Sequence, residues 1–210
     1  MPGWAFLRRL INLTIGVSNP AHRIRLNLAA KADLRAWLVF LVSFNGKEFF
    51  LSDQWISSRA LHLYTDASGS QGYGGLLGRE WFMGSWPTSW QDKPITIKEF
   101  FPIVAALELW CQQLAQQRII FHTDNMALTH IINKSSAKDT QIMTLVRHCV
   151  VICMRHNIYF KAQHVPGVNN VLADRLSRQQ VADFHKLAPW AKSTPEQLPV
   201  HILPQNWFRG

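Results

Sequence analysis

The stretch LHLYTDASGSQGYGG, residues 61–75, decides how the chain is read. Leu61, Leu63 and Thr65 alternate with His62 and Tyr64, so the run reads as a strand with Asp66 at or near its end. A carboxylate is unwelcome there unless water, a donor or a cation meets it. The plainer reading is a hairpin turn in which Asp and Gly serve the backbone. A second run bears on the choice: RIIFHTD, 118–124, is a short β-branched strand that also ends on an aspartate preceded by threonine. If the two strands are neighbours in one sheet, Asp66 and Asp124 emerge at the same edge.

Outward from this stretch, strands are expected at 60–67, 71–78 and 80–86, a meander punctuated by Gly69, Gly72 and Gly78. A long helix follows at 97–116, with Pro102 near its first turn. Helices near 125–133 and 139–156, a strand at 158–165 and a helix containing NNVLADRLSR complete the unit. Three meandering strands before an alternating half predict an α/β fold: a mixed five-stranded sheet with helices on both faces. Residues 1–58 read as a small helical, basic segment. Its clearest helix is IRLNLAAKADLRAWLVFLVSFNG, with Asn27 as N-cap, Leu34, Trp37, Leu38 and Leu41 as an apolar stripe, and Asn45-Gly46 as its end. The Pro- and Trp-rich tail, 186–210, lacks periodicity and reads as an extended surface segment or a linker. The expected units are therefore 1–58, 59–185 and 186–210.

Of the 210 residues, 22 are Lys or Arg and 13 are Asp or Glu, a net charge of +9. Residues 1–60 hold 8 of the basic and 3 of the acidic side chains. Such an excess favours a polyanionic partner, nucleic acid first and an anionic membrane surface second. Cys111, Cys149 and Cys153 cannot all pair and show no CxxC spacing, which points to reduced thiols. MPGWAFLRRLINL carries arginines where a signal peptide needs its apolar stretch. AWLVFLV, 36–42, is far short of the roughly 20 residues of a membrane span. A soluble intracellular protein, cytoplasmic or nuclear and without membrane partners, is expected.

Two further acids sit in apolar surroundings. Glu99 lies near the start of the long helix in TIKEFFPIVAALELW, where a charge also favours the helix N-terminus. Asp174 lies between Leu172 and Leu176, where solvent exposure would explain it equally. Together Asp66, Glu99, Asp124 and Asp174 propose four hard oxygen ligands on one side of a sheet. Without cations they would repel one another and raise their pKa values. Mg²⁺ suits such donors, with Mn²⁺ as a substitute, and two ions about 4 Å apart are a device for in-line phosphodiester displacement.

Taken in order, YTDASGSQGYGG, Glu99 within its helix, FHTDNMALTHIIN and HVPGVNNVLADRLSR resemble the ribonuclease H domain of retroelement reverse transcriptases. The resemblance covers about 59–180. It implies that Asp66, Glu99, Asp124 and Asp174 hold two Mg²⁺ ions and cleave the RNA strand of an RNA–DNA hybrid. Asn170 matches the family's asparagine in the last helix, and Ser68 and Asn125 are placed to reach a sugar-phosphate backbone. Residues 1–58 look like the end of a polymerase thumb and connection, and PVHILPQNW, 199–207, is similar to DIRS-type elements. The polymerase portion of the same polyprotein is then an expected partner. One departure stands out: the family's histidine in a loop before the last aspartate is missing from VPGVNNVLAD, and His164 belongs to the strand end.

Two alternatives stay open. One is a binding module that keeps the fold but not the catalysis. The other is a DNA-cleaving transposase or integrase of the same general fold, although those use a late glutamate as the last acid. RHCVVICMRH, 147–156, offers His and Cys at helical spacing but is more simply an apolar helix with polar flanks. Trp81, Trp86 and Trp90 could stack on bases or belong to the core. The glycines of 69–75 form no P-loop, since no GK[ST] follows. Their smallness is expected to leave room beside Asp66 for a metal and a phosphate chain.

Overall fold

Two three-stranded sheets form the framework in the computed structural model, which describes residues 4–43, 54–164 and 170–208. One is parallel, with Trp55–Ser57 (β1) and Tyr159–His164 (β6) flanking Arg118–Thr123 (β5). The other is the antiparallel meander Leu63–Ala67 (β2), Gly72–Leu77 (β3) and Glu80–Ser85 (β4). The fold class is α/β, as the alternation predicts, but six strands in two sheets replace the single five-stranded sheet. The run 60–67 is not one strand. His62 takes a left-handed φ of 51°, and the Leu63 N–H closes a turn onto the Ser58 carbonyl at 2.8 Å. The segment before that turn, β1, pairs with β5. Among the described residues β2 and β5 therefore do not share a ladder, and the expected pairing of the two aspartate-ending strands is corrected.

The meander has a core on each face. Leu63, Ala67, Tyr73, Leu77 and Phe82 join the main core against Ile95–Leu109 (α3). That helix is buried along almost its whole length and carries Pro102 in its middle, not in its first turn. Leu76 and Trp81 face the other way, onto Leu176 of Val171–Ser177 (α6) and Phe184 of Val181–Leu187 (α7). Period-two alternation thus sends odd and even residues of β2 and β3 to different helices. Asp66 lies in register with Gly74. A side chain at Gly74 would put its Cβ 2.4 Å from Leu176 Cβ, so the glycine lets α6 lie directly on the sheet. At this position the smallness of the GYGG stretch serves helix packing and not a phosphate chain.

Two helices, Met126–Lys134 (α4) and Thr140–Arg155 (α5), match the expected spans closely. Asn133 of α4 exchanges two 2.8 Å hydrogen bonds with the Ala162 backbone, occupying the free edge of β6. The first helices are Trp4–Thr14 (α1) and Leu28–Ser43 (α2), the former not foreseen. Asn27 caps the second, accepting from Ala30 N–H at 2.8 Å. Its expected apolar stripe holds only in part: Trp37 is part-buried against the main core, but Leu34, Leu38 and Leu41 are exposed, while buried Asp33 is held by Arg9 and Arg147. Asn45-Gly46, its expected end, lies outside the described residues.

The tail straps the molecule. Lys192 and Glu196 N–H groups bond to the Arg79 and Trp81 carbonyls along β4, and Trp90 Nε1 donates to Pro204 O at 2.8 Å. Trp81, Trp86 and Trp90 are buried, so they are core residues and not base-stacking platforms. All three cysteines are free. Among the described residues no helix is long and apolar enough to cross a membrane.

Candidate active site

Asp66, Glu99, Asp124 and Asp174 come from four separate elements and line one cavity of about 450 Å³. Asp66 is the penultimate residue of β2, and Asp124 directly follows β5. Glu99 sits one turn into α3, and Asp174 sits in the first turn of α6.

Each of three acids is held by a protein donor. Ser177 Oγ, itself fully buried, donates to Asp66 Oδ2 at 2.5 Å. Asn125 Nδ2 donates to Glu99 Oε2 at 2.6 Å. Arg178 Nε donates to Asp174 Oδ1 at 2.7 Å. Burial pushes the Asp66 carboxyl above the ordinary aspartate range; the Ser177 hydroxyl pulls it down and the charge of Asp174 raises it further. Burial likewise raises Glu99, opposed by the Asn125 amide and reinforced by Asp124 and Asp66. Asp66 therefore feels the charge of Asp174, and Glu99 feels those of Asp124 and Asp66.

The secondary candidates have local duties. Ser68 Oγ accepts from the Ser70 and Gln71 N–H groups and closes the turn after β2. Asn125 Oδ1 caps α4, accepting from Leu128 N–H, while its amide holds Glu99. Asn170 Nδ2 donates to the Thr65 carbonyl at 2.8 Å, tying the start of α6 to the Asp66 strand. Its Oδ1 is buried with no hydrogen-bond partner among the described residues, and the side chain borders the cavity.

Sequence reasoning missed Ser177, Arg178 and His122. The first two stand three and four residues after Asp174, the spacing that puts helical side chains on one face, so their signal was present in ADRLSR. His122 lines the cavity with Nδ1 3.4 Å from Ser57 Oγ, and burial followed by Arg59 lowers its pKa. His164 is not among the residues lining the cavity; its Nε2 lies 3.1 Å from the Asp124 backbone carbonyl. His148 of the 147–156 run bonds Glu108 at 3.0 Å, and Cys149 and Cys153 are buried in the core.

In chemistry the donor set suits a hard divalent cation: four carboxylates bound one cavity, and two are raised by burial and mutual repulsion. As they stand, no three His, Cys, Asp or Glu side chains among the described residues converge closely enough to share an ion.

No family model and no curated protein matches the chain. Solved structures are similar to it, among them the following two. Ribonuclease H1 from the halophilic archaeon Halobacterium salinarum NRC-1 is 15% identical with a TM-score of 0.43, covering 58% of this chain and 95% of its own. The N-terminal RNase H domain of Rv2228c from Mycobacterium tuberculosis, solved as a fusion with maltose-binding protein, is 14% identical with a TM-score of 0.40. That match covers 58% of this chain and 93% of the other.

Proposed function

We propose that this chain is a divalent-metal-dependent endonuclease that hydrolyses the RNA strand of RNA–DNA hybrids, as the ribonuclease H portion of a retroelement reverse transcriptase. The observation that carries the reading is the meeting of Asp66, Glu99, Asp124 and Asp174 on one cavity, although they are spread over more than a hundred residues of sequence. Two Mg²⁺ ions held by these acids would supply Lewis-acid stabilisation for phosphodiester displacement.

The chain's own residues prepare that chemistry. Ser177 fixes Oδ2 of Asp66, and Asn125 fixes Oε2 of Glu99, so each acid has one oxygen oriented from within the protein. Asn170 locks α6 to β2 and so fixes Asp174 relative to Asp66. Arg59, Arg175 and Arg178 bring positive charge to the same cavity, where a phosphate backbone would lie. With a net charge of +9, hybrid binding should weaken steeply with salt and depend little on sequence.

One observation favours a second reading, a nucleic-acid-binding remnant without catalysis: the acids are bonded to Ser177, Asn125 and Arg178 and do not yet converge. The two readings part when hybrid, duplex DNA and duplex RNA of one sequence are each incubated with the protein in Mg²⁺. The nuclease reading expects loss of the RNA strand from the hybrid alone. Tight binding with no cleavage in Mg²⁺ or Mn²⁺ selects the remnant. Equal cleavage of duplex DNA selects a transposase-like activity.

A further inference from the structure

The acid cluster carries its own cation. Arg178 follows α6 directly, and its Nε lies 2.7 Å from Asp174 Oδ1. Both side chains line the cavity, and the Arg178 charge also reaches Asp66. A second guanidinium on the same wall is committed elsewhere, because Arg175 Nη1 donates to Gln180 Oε1 at 2.6 Å.

The Arg178–Asp174 pair is 48% and 36% exposed. An ion pair this exposed contributes little to stability. Its i,i+4 spacing accounts for the contact, and its place on the cavity wall gives it a consequence. A divalent cation entering beside Asp174 meets a guanidinium only a few ångströms away, and like charges at that distance repel. The long, half-exposed arginine can swing into solvent, whereas Asp174 is fixed on a helix packed against the sheet.

We propose that Arg178 is an exchangeable counter-ion of the acid cluster: it holds Asp174 while no divalent cation is bound, yields the carboxylate when one enters, and then pairs with a backbone phosphate of the bound strand. This inference rests on the nuclease reading and adds a step to it. The freed guanidinium presents paired N–H donors that match two phosphate oxygens. Arg178 is thus a positioning residue in the empty site and a substrate-binding residue in the loaded one.

The test is titration of Mn²⁺ into substrate-free protein, with free Mn²⁺ followed by its paramagnetic resonance signal. Mn²⁺ shares the preference of Mg²⁺ for oxygen ligands. Arg178→Ala is expected to bind Mn²⁺ about threefold more tightly than wild type, the size expected for release of one exposed ion pair. Arg178→Lys stays near wild type, and Arg175→Ala changes less than Arg178→Ala. At saturating Mn²⁺, Arg178→Ala raises KM for hybrid more than it lowers kcat. Unchanged Mn²⁺ affinity in Arg178→Ala overturns the inference and leaves the nuclease reading standing. Equal tightening in Arg175→Ala overturns it too, since any lost positive charge would then suffice. A wild-type protein that takes up no Mn²⁺ overturns both.

Discussion

Replacing Asp66 with asparagine is expected to lower hybrid cleavage by about a thousandfold, the scale on which removal of one charge-stabilising group is felt. The same change should raise the melting temperature of metal-free protein at pH 7. Burial first, and the neighbouring Asp174 charge as well, lift the folded-state Asp66 carboxyl above its ordinary 3.8. A carboxyl raised in this way favours the folded state when protonated. Its contribution is therefore full below pH 3.8 and disappears as pH rises through the higher folded value. Asparagine keeps an acceptor for Ser177 and carries no charge to bury. The stability gap between Asp66→Asn and wild type should accordingly open as pH rises and close below pH 3.8. Thermal melts across pH in chelator, paired with cleavage rates in Mg²⁺, measure both. A variant that melts below wild type at pH 7 would show that the cluster is not under electrostatic strain.

Gly74→Val should be damaging for a different reason. Even the first carbon of a side chain would lie 2.4 Å from Leu176 Cβ and 3.1 Å from the Leu176 carbonyl carbon. Neither is the free end of a flexible chain, so α6 itself must move. Overpacking of this kind costs about 3 kcal/mol. In a chain of this size that lowers the melting temperature by roughly 6–12 °C. Because α6 carries both Asp174 and Ser177, cleavage measured well below the melting point should also fall, by about a hundredfold for a displacement near 1 Å. Gly69→Ala is the matched control, since a Cβ there meets nothing within 4 Å. Equal stability of the two variants would mean that α6 does not rest on Gly74.

What the sequence made legible was local. The Thr-Asp strand ends, the Asn27 cap and the spans of β3 to β6 and of α4 and α5 follow from alternation, turn residues and helical period, and these signals lie within a few neighbouring residues. Pairing between distant strands carries no such signal. The three residues of β1 are too few to show a period, and only the turn at His62 reveals that they, not β2, lie beside β5. Of the stripe Leu34, Trp37, Leu38 and Leu41, only Trp37 packs on the core; the leucines have the period of a buried face yet point outward, because Asp33, on the inner side, is paired with Arg9 and Arg147. At the site, the four acids were legible because charges among apolar neighbours are conspicuous. Their holders were legible only in part: Asn125 stood out beside Asp124 but not as the partner of Glu99, and Ser177, three residues after Asp174, shows its bond to Asp66 only once α6 lies on β2. The tail gave no periodicity because its order comes from hydrogen bonds to β4 and from the Trp90–Pro204 contact, not from a repeating face of its own.

The most direct test is cleavage of a hybrid labelled on its RNA strand, in Mg²⁺ and in EDTA, by wild type and by Asp124→Asn. Wild type in Mg²⁺ is expected to destroy the RNA strand and leave the DNA strand whole, while EDTA or the substitution stops it. Cleavage that persists in EDTA, or that Asp124→Asn performs at the wild-type rate, would contradict it.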